Sequence, residues 1–170
     1  QAVTSDRTDI STGALLPVTL AGLPLVLSGT AGLRSAAGVS CGPSPAVVVS
    51  AERVANFLRA TGAPPEDLPG VAPSNLVLAL TNLLLPELVR VDDVRMGVNY
   101  GTDSVRFPAP TPIGEAVVAW VELADVSDVA GGVQTRMRIT VTRPDAPTPG
   151  SDADGAEPFC VVESLSRFFD

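Results

Sequence analysis

The chain has 170 residues and a formal net charge of −8, with 45% hydrophobic and 18% charged residues. That is enough for one packed domain, and too apolar for a disordered chain. It contains no histidine and no lysine, which excludes Ser–His–Asp and Cys–His chemistry, histidine metal sites and lysine Schiff bases.

Residues 1–10 are polar. Residues 11–33, STGALLPVTLAGLPLVLSGTAGL, carry no charge and are long enough to cross a bilayer. Pro17 and Pro24 argue against a spanning helix, and no basic segment precedes the stretch. An apolar arm over residues 1–32, packed on the body or on a second subunit, is therefore expected ahead of one domain over 33–170. The acidic balance, with no basic patch, makes a nucleic acid an unfit partner. No membrane insertion, metal or cofactor is expected, and the location expected is cytoplasmic.

Cys41 to Pro45, CGPSP, reads as a turn, and Ala46 to Val49 as a short strand. Ser50 is placed to cap a helix with Glu52 in its first turn. Val54, Phe57 and Leu58 form its apolar stripe, and Gly62 stops it. A proline-broken loop follows. A second helix runs from Ser74 to just before Pro86, and Leu76, Val77, Leu78, Ala79, Leu80, Leu83, Leu84 and Leu85 occupy all its faces. A helix apolar all round is expected to be buried all round.

The remainder reads as strand. Val94, Met96, Val98 and Tyr100 alternate with polar residues or glycine. Ala116 to Ala124 contains Trp120. From Val133 to Val141 the alternation is strict, which predicts one face in the core and one in solvent. Ala146 to Glu157 reads as a flexible acidic loop, and Phe159 to Phe168 as the last strand. Cys41 and Cys160 lie far apart, and their pairing stays open, with two free buried thiols as the expectation. The fold class is α+β: a single domain in which a curved antiparallel sheet wraps a central apolar helix.

One motif makes this specific. Asn99 to Pro110 reads NYGTDSVRFPAP, followed by TPIGE. This resembles the MaoC-like (R)-specific enoyl-thioester hydratases and dehydratases, which have the hotdog fold. SAERVANFLRATG (Ser50 to Gly62) resembles the short helix before their catalytic loop, and EPFCVVESLSRF (Glu157 to Phe168) their last strand. The likeness covers about residues 33–169.

The resemblance implies an aspartate and a histidine directly after A-T-G, but here those positions hold Ala63 and Leu68. It implies an A-H-G before the central helix, but here Ala72, Pro73 and Ser74 stand there. The loop between is shortened to Pro69–Val71. The inherited fold thus arrives without the standard hydration machinery.

Chemistry then falls to other residues. Asp67, one residue from the lost histidine, and Glu66 are the carboxylates nearest the old site, and a carboxylate in an apolar pocket can act as acid or base. Tyr100 is a weak acid or donor. Ser74 and Asn75 can bind a carbonyl at the helix start, although Ser74 can equally serve as a cap. Asn82 can line the pocket or bond to nearby backbone. Asn99, Trp120 and Arg106 complete the substrate-binding set. Trp120 offers a ring to stack on, and Arg106 a partner for carboxylate or phosphate.

Three functions fit. The first is a non-standard enzyme of cyclase or isomerase type, acting on a polyketide or acyl chain in an apolar pocket. The second is a non-catalytic subunit of a heteromeric enoyl-CoA hydratase or dehydratase. The third is an acyl- or polyketide-binding protein. The partners expected are that hydrophobic small molecule and a second hotdog subunit, in a homodimer or heterodimer.

Overall fold

The alternation of the C-terminal half builds the body of the molecule. The computed structural model describes residues 24–63, 70–151 and 155–170. Its elements are β1 (Leu25–Ser28), α1 (Gly29–Ser35), β2 (Ser40–Cys41), β3 (Val47–Val48), α2 (Ala51–Ala60), α3 (Ser74–Leu84), β4 (Val89–Asp92), β5 (Met96–Arg106), β6 (Ala116–Val129), β7 (Gly132–Thr142) and β8 (Cys160–Phe169). An antiparallel sheet runs in the order β2-β6-β7-β8-β5, and β3 also pairs with β6. β1 and β4 form a separate parallel ribbon.

The sheet curls over α3, which is the expected α+β arrangement. Leu76, Val77, Leu80 and Leu84 of α3 join one core with Val121, Met137, Ile139 and Val162 of the sheet. Each such side chain contributes about 1.5–3 kcal/mol on burial.

Local signals act as expected around α2. The Ser50 hydroxyl accepts from the Arg53 amide at 3.2 Å. Glu52 in the first turn and Arg59 in the last complement the helix dipole. Beyond the helix, Gly62 takes φ +79°, which favours glycine.

The expected arm boundary at 32/33 falls inside α1. Leu27 and Leu33 sit in the same core as the sheet. The Thr30 hydroxyl donates to an Asp170 carboxylate oxygen at 2.9 Å, and Arg34 pairs with Asp128 at 2.8 Å. Residues 1–23 lie outside the described residues. Among the described residues no helix is long and apolar enough to cross a membrane.

Three expectations need correction. First, α3 is not buried all round. Leu83 is 47% exposed, and Asn75, Ala79 and Asn82 are also exposed. One sheet covers only part of the helix surface, so the flank beside the buried stripe, along β5 and β8, is left bare. Second, the outer row of β7 is not all in solvent. Thr140 and Thr142 are only 9% and 4% exposed, because the chain at Ala146–Ser151 and Pro158 folds back over that end of the sheet. Third, Val94 is not in a strand. The run divides into β4 and β5 at Asp93, whose φ of 57° lies in the left-handed region, where Asp is among the residues best tolerated.

Cys41 and Cys160 are both free and buried. Burial pushes each thiol up to about 11. A folded pKa above the unfolded one adds stability that is present below the unfolded pKa and lost as pH rises through the folded value. The protein is therefore expected to lose stability between pH about 9 and about 11. Neither thiol should react with Ellman's reagent at pH 8 until denaturant is added. A prompt reaction of one thiol in the folded protein would contradict this burial.

Candidate functional site

The bare flank of α3 faces the inner surface of β5, β7 and β8, and between them lies a cavity of about 500 Å³. Helical periodicity explains the helix wall. Asn75 and Asn82 are seven residues apart, so they fall on nearly the same face, with Leu78 and Ala79 between them.

The sheet wall needs a local irregularity. Asn99 and Thr102 both line the cavity, although strict alternation over three residues would send them to opposite faces. The β5–β8 register shifts between Asn99 and Gly101, leaving Tyr100 as an extra residue. Such a bulge restores the inward direction for Thr102. Across the ladder, Asn99 pairs with Ser166 and Thr102 with Ser164, and both serines also line the cavity.

The two faces of the sheet differ in charge. Its outer face carries an ion-pair ladder. Arg138 reaches Glu122 at 3.0 Å and Glu163 at 2.9 Å, and Arg136 reaches Asp103 at 2.7 Å. These pairs are partly exposed and individually modest. In contrast, none of the described residues lining the cavity is titratable.

At one end of the cavity is the start of α3. Pro73 occupies the cap position without a side-chain bond, so Ser74 does not act as the cap. The Leu76 amide bonds the Pro73 carbonyl at 2.9 Å. The amides of Ser74 and Asn75 have no acceptor among the described residues. Free amides at a helix start are suited to a carbonyl oxygen.

The structure thus brings together Asn75 and Asn99 of the expected set, together with Asn82. Ser74 is exposed at the helix start, outside the cavity lining. Tyr100 turns to the outer face, where the Arg167 guanidinium lies 3.5 Å from its ring centroid. Trp120 also lies on the outer face, against Gly42, where any side chain would approach the indole to 2.7 Å. Arg106 is exposed at the end of β5, with no ion-pair partner among the described residues. Asp67 and Glu66 lie outside the described residues. Thr102, Ser164 and Ser166 were not anticipated. The serines were legible as the inward positions of ESLSR, between Val162 and Phe168, whereas Thr102 depends on the bulge.

No family model matches the chain. It is 35% identical over 151 residues to the 3-hydroxyacyl-thioester dehydratase Z of Mycobacterium tuberculosis, spanning 81% of this chain and 94% of that protein.

The chain belongs to the 3-hydroxyacyl-thioester dehydratase family.

Solved structures give the fold of this dehydratase-family chain. The MaoC-like dehydratase of Rhodospirillum rubrum superposes with a TM-score of 0.56 at 14% identity, over 79% of this chain and 92% of that one. A chain of the HadBC 3R-hydroxyacyl-ACP dehydratase complex of Mycobacterium tuberculosis gives 0.55 at 18% identity, over 78% and 96%. The fold expected for the chain is the one these solved dehydratases have.

Proposed function

We propose that this dehydratase-family chain is a dyad-less subunit that holds an acyl or polyketide thioester in the α3 cavity and works beside a catalytic hotdog partner. The observation that carries the reading is the cavity wall, in which no described side chain can take or give a proton near neutral pH. The absence of histidine from the sequence, with Ala63 and Leu68 where the resemblance implies a dyad, agrees with it.

Exposed surface supports a partner. Among the described residues β5 is an edge strand, paired on one side only, and an exposed edge is a template for another chain. Along it Met96, Val98 and Tyr100 are 48%, 39% and 55% exposed. The bare flank of α3, with Ala79 and Asn82, lies on the cavity side of the same edge. A docked subunit would cover both, and the HadBC dehydratase is itself a complex.

Pairwise co-expression with each dyad-bearing MaoC-like protein of the same genome tests this. One such protein is expected to co-purify with the chain. Val98→Arg, which places a charge on the edge, should abolish that association while changing stability by less than about 0.5 kcal/mol. Failure of every pairing would overturn the heteromeric reading.

A second reading is favoured by the free amides at the start of α3. In it the chain acts alone as a cyclase or isomerase. The cavity folds the substrate, Ser74 and Asn75 polarise its carbonyl, and Asp67 or Glu66 moves the proton. Retention of cyclisation by an Asp67→Asn, Glu66→Gln double variant would defeat it.

A further inference from the structure

Resting on the reading of the α3 cavity as the acyl-chain site, we infer that it selects a chain oxygenated at more than one position along its length, in preference to a plain alkyl chain. The cavity is built where the fold departs from apolar lining. The inner face of β8 runs Val162, Ser164, Ser166, Phe168, and the two flanking residues belong to or pack on the core. The two serines between them interrupt an apolar row only where the cavity lies. In β5 the bulge at Tyr100 turns a second polar residue inward. In α3, SNLVLALTNLL, the inserted polar side chains Asn75 and Asn82 both face the same space.

These groups are arranged at two depths on both walls. Asn99 with Ser166 and Thr102 with Ser164 form two cross-strand pairs, about 7 Å apart along the strands. Asn75 and Asn82 are about 10 Å apart along the helix axis. Thr81 differs, since its hydroxyl is engaged with the Leu78 carbonyl at 2.6 Å. The six named side chains make no such bond within the described residues, which leaves them able to bond water or a ligand.

Ligand class follows from that. An alkyl chain laid along the cavity would strip water from six neutral polar groups and return nothing, which a binding site resists. A carboxylated chain would find no described cation in the wall. Hydroxyl or keto groups at two depths would replace the lost water on both sides. Neutral amides and hydroxyls can donate and accept, so either oxygen type fits. The 3-hydroxyl of a dehydratase substrate accounts for one depth only, and the second depth calls for a further oxygen.

Calorimetric titration of the chain, together with its partner where one co-purifies, uses three N-acetylcysteamine thioesters of equal length: decanoyl, 3-hydroxydecanoyl and 3,7-dihydroxydecanoyl. The dihydroxy compound is expected to bind about tenfold more tightly than decanoyl, with the monohydroxy compound between. Asn82→Leu and Ser164→Ala should each reduce that preference by several-fold while leaving decanoyl affinity equal or improved. Asn82 is exposed on α3, so the first variant leaves the core intact. Equal binding of all three thioesters, or tighter binding of decanoyl, overturns the selectivity and leaves the cavity an acyl site. Binding of none of the three overturns both the selectivity and the reading beneath it.

Discussion

Ala79→Trp should abolish thioester binding and leave the fold intact. Ala79 is exposed on the bare flank of α3, between Asn75 and Asn82, and lines the cavity. Its methyl group leaves the floor of a space of about 500 Å³ open. An indole there would occupy much of the volume and lean toward Asn75. Affinity for a decanoyl thioester is expected to fall at least about a hundredfold, or about 2.8 kcal/mol. The cost to stability is small, because the position is solvent-facing and tryptophan loses only a few tenths of a kcal/mol of helix propensity, well under about 0.7. Calorimetric titration beside a thermal melt reads both quantities. Unchanged affinity would mean that ligand binds elsewhere.

Phe159→Ala carries the largest expected loss of stability. Phe159 is 1% exposed, immediately before β8, and its amide bonds the Val141 carbonyl at 2.9 Å. The Arg143 guanidinium lies 4.5 Å from its ring centroid. Removing the ring leaves a cavity where β7, β8 and the returning loop meet, at about 3–5 kcal/mol, with a further 0.5–1 kcal/mol from the lost cation–π contact. Native domains are stable by about 5–15 kcal/mol, so the melting temperature should fall on the order of 10 °C or more. Phe107→Ala is the control. That ring is 37% exposed and its loss should cost under about 1 kcal/mol. Equal shifts for the two variants would show that the ring at 159 does not anchor the sheet.

Much of the architecture was legible because it depends on local period and punctuation. The VQTRMRITV alternation of β7, the Ser50 cap and the Gly62 stop each act within a few residues. What escaped was tertiary. The leucines of α3 announce an apolar helix, but how many of its faces find cover depends on how far one sheet can reach. Thr140 and Thr142 look solvent-facing until the loop after β7 returns across them. The bulge at Tyr100 cannot be seen in NYGTDS as a string, yet it decides that Asn99 and Thr102 share a wall while Tyr100 turns away to Arg167. The site was therefore half legible. Asn75, read from the helix start, and Asn99, read from the motif, line the cavity, whereas Trp120 and Tyr100 were assigned to the pocket by residue type and lie on the other face of the sheet. Asp67 and Glu66 fall outside the described residues.

The central claim is that this chain supplies a binding cavity and no acid or base of its own. Turnover of crotonyl-CoA by the isolated chain tests it most directly. Hydration should not exceed the uncatalysed background, and Asp67→Asn should change nothing. Clear hydration by the isolated chain, abolished by Asp67→Asn, would contradict the account and make Asp67 the catalytic residue of a rearranged hydratase.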